Sequence, residues 1–228
     1  MYRQFILGAM LLSSLSAFSS DLTEKIVITG SRIDMYDAPA ITLVKPADFL
    51  VQRIALLNDS RDAVQREQEL EQTVRNIIAA SSRQKAIELG VGKDVIFPID
   101  VNNLTLDIFE GKRKDTSIVY LFIKTPIEKS QETPKIIRRL NDFIEDIKLN
   151  GRTEIDRDGE IVLSIVNPEK YRTELLQLIA ESLQQTQTIF GNNYKAEVNG
   201  LSQALQWERA GVSELRLYIE YDFTIRSI

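Results

Sequence analysis

Two short segments carry residue types at spacings that could do chemistry. Ser82 precedes Lys85 at the S-x-x-K spacing of a serine nucleophile with a lysine base, but the S-D-N and K-T-G segments that complete such a site are absent from the sequence. Gly90, Gly92 and Lys93 outline a phosphate-binding loop, without its longer gap between the glycines or its hydroxyl residue after the lysine. We therefore predict the exposed end of a helix at the first segment and a plain loop at the second.

Acidic residues are plentiful, but the sequence marks none of them as a catalytic or metal-binding pair. Asp156, Asp158 and Glu160 surround Gly159, at a spacing that does not match a calcium loop. A tight hairpin turn at Asp158-Gly159 accounts for the cluster. Nothing singles out a glycosidase pair among the 33 acidic residues. We predict no catalytic residue, no cofactor and no metal site, and a carboxylate-based hydrolase stays open as an alternative.

The chain has no histidine and no cysteine, which removes several classes of chemistry. A Ser-His-Asp triad, a cysteine nucleophile, a conventional zinc site and a disulfide framework each need one of these residue types. The net charge of -5 also disfavours a general nucleic-acid binder, which needs cations to displace counterions from phosphates. We predict a protein that is not an enzyme and binds no nucleic acid.

Four residues are candidates for an interaction surface. Lys112, Arg113 and Lys114 form a basic tip on an acidic protein, which could contact anionic headgroups or an acidic partner; a solvated turn is the alternative. Tyr218 lies on the polar face of the last predicted strand, where aromatic residues could form a ligand platform or simply pack across strands. The other members of that platform would be Trp207, Tyr221 and Phe223.

The N-terminal segment has the order of features of an export signal. Arg3 supplies a positive charge, residues 5–12 are apolar but too short to span a membrane, and small residues follow. We predict a signal peptide over residues 1–19 and a periplasmic protein with no later transmembrane segment. Because cysteine is absent, no lipid can be attached at the cleavage site, so we do not expect a lipoprotein.

Residues 20–40 are expected to form an arm ahead of a single compact domain over residues 41–228. Within the arm, Lys25–Ile33 resembles the start of the plug domain of TonB-dependent outer-membrane receptors. The remaining chain is rich in predicted helix and too short for the large barrel of those receptors. We therefore predict only one strand, at residues 26–29, and keep a role as partner of an outer-membrane transport system as an alternative.

Hydrophobic periodicity and end signals predict the elements of the domain. Helices are expected at residues 61–80, 133–149 and 167–190, capped by residues 58–60, by Thr133-Pro134 and by Asn167-Pro168. Two hairpins are expected, 104–109 with 118–124 and 153–156 with 160–166. Further strands are expected at residues 49–57, 95–99, 194–198, 204–209 and 214–226.

This order of elements indicates an α+β fold. Hairpins alternate with helices, so we expect antiparallel sheet with about three helices packed on one face, in an order that accommodates two related β-α-β units. The strand predicted at 214–226 alternates apolar and polar residues throughout, as a strand does when one face meets the core and the other meets water.

The C-terminal part contains the helix segment Ile179–Leu183 ahead of Phe190-Gly191, and a final alternating strand with Tyr221-Asp222-Phe223. In these features it resembles the SIMPL family of bacterial envelope proteins. The alanine-rich repeated helix typical of that family is missing. The resemblance implies a Gram-negative periplasmic protein that self-associates or binds another envelope protein, and it transfers no site residue. Our leading hypothesis is a non-enzymatic binding or assembly module.

Overall fold

The structure is a computed structural model that describes residues 24–25, 41–92, 95–128 and 131–228. Within them the predicted α+β class is confirmed, with three helices and mostly antiparallel sheet. The helices are α1 (Ala63–Ser81), α2 (Thr133–Glu145) and α3 (Arg172–Phe190). The strands are β1 (Glu24–Lys25), β2 (Leu43–Pro46), β3 (Phe49–Asn58), β4 (Glu88–Gly92), β5 (Val95–Pro98), β6 (Phe109–Glu110), β7 (Ser117–Pro126), β8 (Thr153–Arg157), β9 (Val162–Val166), β10 (Tyr194–Asn199), β11 (Gln206–Arg209), β12 (Glu214–Tyr218) and β13 (Asp222–Ser227). The predicted signal peptide and the predicted strand at 26–29 lie outside the described residues.

The strands form three sheets. The largest has the order β6-β7-β4-β5-β1-β9-β3-β8. Because β3 also pairs with β7, the strands β7, β4, β5, β1, β9 and β3 form a closed circuit of pairings. A second sheet has the order β11-β12-β2. The third is a two-stranded ribbon of β10 and β13, called the ribbon below.

The central strand of the largest sheet is β3, which pairs with β7 along its full ten residues. Its residues Leu50, Ile54 and Leu56 are fully buried in one shared core. Each such side chain contributes roughly 1.5–3 kcal/mol relative to an exposed one. That core also receives residues from all three helices and from β12: Leu70, Val74, Ile77, Ile136, Leu140, Leu175, Ile179, Leu215 and Leu217. The helices and the three-stranded sheet are therefore held by one hydrophobic core.

The loop predicted at Gly90 and Gly92 is wrong, because both residues belong to β4. Gly90 pairs with Phe122 of β7 and with Pro98 of β5. A Cβ on Gly90 would lie 2.1 Å from Cγ2 of Ile96, a residue of a second small core. Glycine indicated a loop in the sequence, whereas here it permits a close approach between neighbouring strands.

The hairpin predicted over residues 153–166 is also wrong, because β8 and β9 do not pair with each other. Both pair with β3, one after the other on the edge opposite β7: β8 along Ile54–Asn58 and β9 along Phe49–Val51. Residues 158–161 bulge out of this ladder, where the Gly159 carbonyl accepts a hydrogen bond of 3.1 Å from Gln52 Nε2. The sequence contains a turn dipeptide, Asp158-Gly159, which predicted a hairpin. Because β3 is long, β8 and β9 instead pair with successive parts of the same edge of β3.

The strand predicted at 214–226 is two strands in different sheets. The first, β12, pairs with β11 and β2, and the second, β13, pairs with β10. Residues 219–221 connect them, and Ile219 is fully buried. The alternation of apolar and polar residues continues across this junction, so periodicity alone could not reveal that the chain changes sheets.

Smaller differences concern ends and short strands. The N-cap of α1 is Asp62, whose Oδ1 accepts from the Gln65 N–H at 2.8 Å, rather than residues 58–60. The N-cap of α2 is Glu132, and the helix ends at Glu145 rather than near 149. The first predicted hairpin exists only as the short pairing of β6 with β7, and β2 was missed. No helix in the described part of the chain combines the length and apolar character that crossing a membrane requires.

Candidate functional site

The predicted basic tip lies in the connection between β6 and β7, and its three residues are exposed. Arg113 Nη2 is 3.3 Å from Asp59 Oδ2, so part of its charge is already compensated. Lys112 and Lys114 form no ion pair with a described residue. The tip borders a cavity of about 350 Å³ whose lining includes Tyr120, Asp156 and Asp158. The tip is thus a solvent-facing turn with two uncommitted lysines.

A larger cleft of about 490 Å³ begins on the other side of Arg113. It is lined by Asp59, Ser60, Arg61, Asp62, Gln65, Arg113, Asp115 and Arg152. Arg152 donates to Asp59 twice, at 2.6 Å from Nε and 3.0 Å from Nη2. The Arg152 hydrogen bond, with a smaller effect of Arg113, holds the pKa of Asp59 below its usual range. Three arginines face three aspartates here, so the cleft offers no net charge to a ligand.

Below this cleft lies a buried polar network centred on Glu69 of α1. Glu69 Oε2 accepts three hydrogen bonds: from Asn58 Nδ2 at 2.7 Å, Ser60 Oγ at 2.8 Å and the Arg152 N–H at 2.9 Å. Its Oε1 accepts from Gln65 Nε2 at 2.8 Å. These donors, the Arg152 N–H first, lower the pKa of Glu69 to about 2. Both oxygens are occupied by structural donors, so Glu69 acts as a fixed anion that joins segments of the fold.

Glu69 was not predicted from the sequence, although its position on α1 indicates burial. Glu69, Thr73 and Ile77 follow one another at four-residue spacing, so all three lie along one side of α1 and all three are buried. Thr73 continues the network, because its hydroxyl donates to the Glu69 carbonyl at 2.8 Å and accepts from the Asn150 N–H at 3.0 Å. A charged residue in line with an apolar stripe indicates a buried, hydrogen-bonded group.

Tyr218 lies on β12, directly opposite Gln206 of β11. Burial, with a smaller effect of nearby acidic residues Glu208 and Glu220, raises the pKa of its hydroxyl. Trp207 is buried in the main core, whereas Phe223 lies on the ribbon, in another sheet. The aromatic platform, which was one alternative for Tyr218, therefore lacks Trp207 and Phe223. Tyr218 lies in the three-stranded sheet, whereas the basic tip connects two strands of the largest sheet.

The other motifs considered in the sequence consist of residues that form hydrogen bonds or ion pairs within the fold. The hydroxyl of Ser82, the C-cap of α1, donates to the Ile78 carbonyl at 2.8 Å, so the segment is the end of a helix as predicted. Asp158 pairs with Arg53 at 3.1 Å. Among the described residues, no group of three or more acidic side chains is arranged to hold a metal ion.

The ribbon lies outside both hydrophobic cores, and exposed apolar side chains lie on it and beside it. None of the residues of β10 and β13 belongs to either hydrophobic core. The C-terminal end of α3 packs against it, with the Phe190 and Tyr194 rings 5.9 Å apart. Ile189 is 82% exposed, and Phe190, Tyr194 and Phe223 are 52%, 38% and 45% exposed. We call these four residues the ribbon patch.

Comparisons with known proteins add no further site. A scan against models of protein families finds no match, and a search of curated proteins finds no relative. The resemblance to SIMPL proteins therefore stays a prediction, and the candidate sites rest on their own geometry.

Proposed function

We propose that this chain is a non-enzymatic binding or assembly module of the bacterial envelope, and that the ribbon is its docking element. The observation that carries this proposal is the ribbon patch, a set of exposed large apolar side chains on the ribbon and on the adjoining end of α3. Neighbouring exposed apolar residues mark interaction surfaces more often than isolated ones do.

The architecture of the ribbon supports docking of another strand. A two-stranded antiparallel ribbon is marginally stable in water, and three or more strands with a hydrophobic face are normally needed. The ribbon has only two strands in the described structure, and both have an edge with no described strand partner. An added strand would complete the backbone hydrogen bonds of one edge and extend the apolar face.

The carboxylates with lowered pKa values do not suit the role of the acid in a hydrolase. A glycosidase acid needs a pKa raised toward neutrality so that it carries a proton at the working pH. The pKa values of Glu69, Asp59 and Glu169 are instead lowered by hydrogen bonds from structural partners. These groups serve the fold as anions. The periplasmic location in this proposal rests on the export signal predicted at residues 1–19.

The native mass of the protein tests the proposal. The full-length chain is expressed in a Gram-negative bacterium, released from the envelope without denaturant, and weighed by size-exclusion chromatography with light scattering. We expect a complex for the natural chain and a monomer for Phe223→Glu, since Phe223 is an exposed residue of β13 and belongs to neither core, so its substitution spares both. Val64→Glu is the matched control, because Val64 is 61% exposed on α1 and should leave the complex intact. A natural chain that is monomeric at all concentrations would overturn the proposal.

A further inference from the structure

We infer that the free edge of β13 pairs antiparallel with β13 of a second copy of this chain, with Thr224 facing its own symmetry mate. The result would be a four-stranded sheet in the order β10-β13-β13-β10 across a twofold axis. This inference rests on the proposed binding function and names the partner that the ribbon takes.

The backbone pattern of the ribbon identifies which groups are free. Tyr194 pairs with Ser227 and Asn199 with Asp222, in one uninterrupted register. The Ile228 N–H donates to the Asn193 carbonyl at 2.9 Å, which continues that register by one pair. Because hydrogen-bonded pairs alternate in antiparallel sheet, Asp222, Thr224 and Arg226 bond to β10. The N–H and C=O groups of Phe223, Ile225 and Ser227 therefore point to the free edge.

The two edges of the ribbon are not equally available. On β10 the outward groups include those of Tyr194, whose N–H donates to the Gly191 carbonyl at 3.3 Å and whose carbonyl accepts from Gln187 Nε2 at 3.5 Å. The end of α3 thus already satisfies part of that edge. The outward groups of Phe223, Ile225 and Ser227 on β13 have no partner among the described residues. The edge of β13 is the open one.

The sequence of β13 is complementary to itself when it is reversed. With Thr224 opposite Thr224 of the second copy, Asp222 faces Arg226 and Phe223 faces Ile225. Opposite charges, paired hydroxyl residues and an aromatic with a β-branched residue are the pairs that stabilise antiparallel strands. In this register Phe223 and Ile225 form the hydrogen-bonded pairs, which agrees with the groups that the ribbon leaves free.

Charge within one ribbon also favours an acidic residue on this edge. Arg226 lies directly opposite Lys195 of β10, and like charges in that position are destabilising. The nearest acidic group is Glu197, with Oε2 at 3.5 Å from Arg226 Nε. Asp222 of a second copy would approach Arg226 from the other side and offset the repulsion from Lys195. The apolar face carrying Tyr194 and Phe223 would double in area at the same time.

A single introduced cysteine tests the register, because the natural chain contains none. Thr224→Cys would place two thiols on a non-hydrogen-bonded pair, where the Cα atoms are about 4.5 Å apart, within the range of a disulfide. Glu197→Cys is the matched control. Glu197 lies opposite Thr224 on the same face of the ribbon, but in the four-stranded sheet the two copies of Glu197 would lie on the two outer strands, too far apart to be linked. Under mild oxidation we expect a linked dimer for Thr224→Cys and none for Glu197→Cys. Linkage of both variants or of neither would overturn the inference.

Charge reversal tests the pairing independently of a covalent bond. We expect Asp222→Arg and Arg226→Asp each to weaken self-association by roughly tenfold or more in sedimentation equilibrium, since each turns two attractive pairs into repulsive ones. The double variant D222R/R226D restores both pairs and should recover the dimer. The matched swap E71R/R75E, of an exposed ion pair on α1, should leave it unchanged. Failure of the double variant to recover the dimer would overturn the inference, and so would a natural complex that contains only one copy with another protein. A complex of one copy with another protein would leave the proposed binding function standing. A strictly monomeric natural chain would overturn both the proposed function and this inference.

Discussion

The backbone N–H of Arg152 donates a hydrogen bond of 2.9 Å to the carboxylate of Glu69. Glu69 stands on α1, and Arg152 stands in the connection between α2 and β8, so this bond ties two segments far apart in sequence. Asn58, at the end of β3, donates to the same oxygen and also to Thr153 Oγ1 at 3.0 Å. One buried carboxylate therefore organises the region beneath the cleft that Asp59 and Arg152 line, and its loss should destabilise all of these segments together.

We predict that Glu69→Gln lowers the free energy of unfolding at neutral pH by about 1–3 kcal/mol, because an amide brings a donor where Gln65 already donates. The pKa of Glu69 is about 2 in the folded chain against an ordinary value of 4.5. Its ionisation therefore stabilises the fold fully above pH 4.5, and this contribution is lost as the pH falls toward 2. The difference between the natural chain and the variant should shrink over that interval.

Urea unfolding at pH 7, 5 and 3 measures this effect. Asp59 and Glu169 also have lowered pKa values, so the natural chain and the Glu69→Gln variant should both lose some stability in acid. A difference between the two proteins that does not change with pH would contradict the assigned role of Glu69.

We predict that Gly151→Ala destabilises the fold more than Gly159→Ala does. Both glycines have positive φ angles, +56° and +86°, so both substitutions carry the cost of a backbone that other residues avoid. A Cβ on Gly151 would also lie 2.0 Å from Cδ of Glu69, whereas one on Gly159 meets nothing within 4 Å. We expect the excess to be about 1–3 kcal/mol, the usual cost of overpacking. Equal decreases of the melting temperature for the two variants would show that contact with Glu69 adds nothing to the cost of a side chain at Gly151.

We predict that Asp62→Ala costs about 1 kcal/mol of stability, the usual value of an N-cap side chain. Asp62 Oδ1 accepts from the Gln65 N–H at 2.8 Å at the start of α1. Asp62→Asn keeps an acceptor at the same place and should retain most of the stability in thermal unfolding. If both variants lost equal stability, the charge of Asp62 rather than its cap would be responsible.

We predict that Ile225→Pro abolishes self-association while Ala196→Pro preserves it. These residues are directly opposite each other in the ribbon, and each directs its N–H to an outer edge. Proline removes that N–H and spares the hydrogen bonds between β10 and β13, since edge positions tolerate proline. Sedimentation velocity reports the dimer, and circular dichroism confirms that each variant is folded. Dissociation of the dimer by Ala196→Pro alone would place the contact on β10.

Local patterns in the sequence were sufficient to predict the type and approximate position of many elements. The apolar stripe of α2 repeats with the period of a helix, and its residues Ile136, Leu140, Phe143 and Ile144 are buried as expected. The alternating residues Val119, Leu121 and Ile123 of β7 are buried as well. The sequence also excluded chemistry that needs histidine or cysteine. It placed the basic tip in an exposed turn, because charged residues between two apolar strands are solvated.

Tertiary structure decided which elements meet. The residues of β8 and β9 signalled a hairpin, yet the long edge of β3 pairs with both, since hydrogen bonding to an available strand is not encoded in local spacing. The alternation over 214–226 continued through a change of sheet, because period two is the same in every sheet. Glu69 looked like one of many surface acids, and only the approach of Arg152 and Asn58 made it a buried anion. Sequence determined the faces of the elements, and long-range contacts determined which faces were covered and which strand edges, that of β13 among them, have no partner among the described residues.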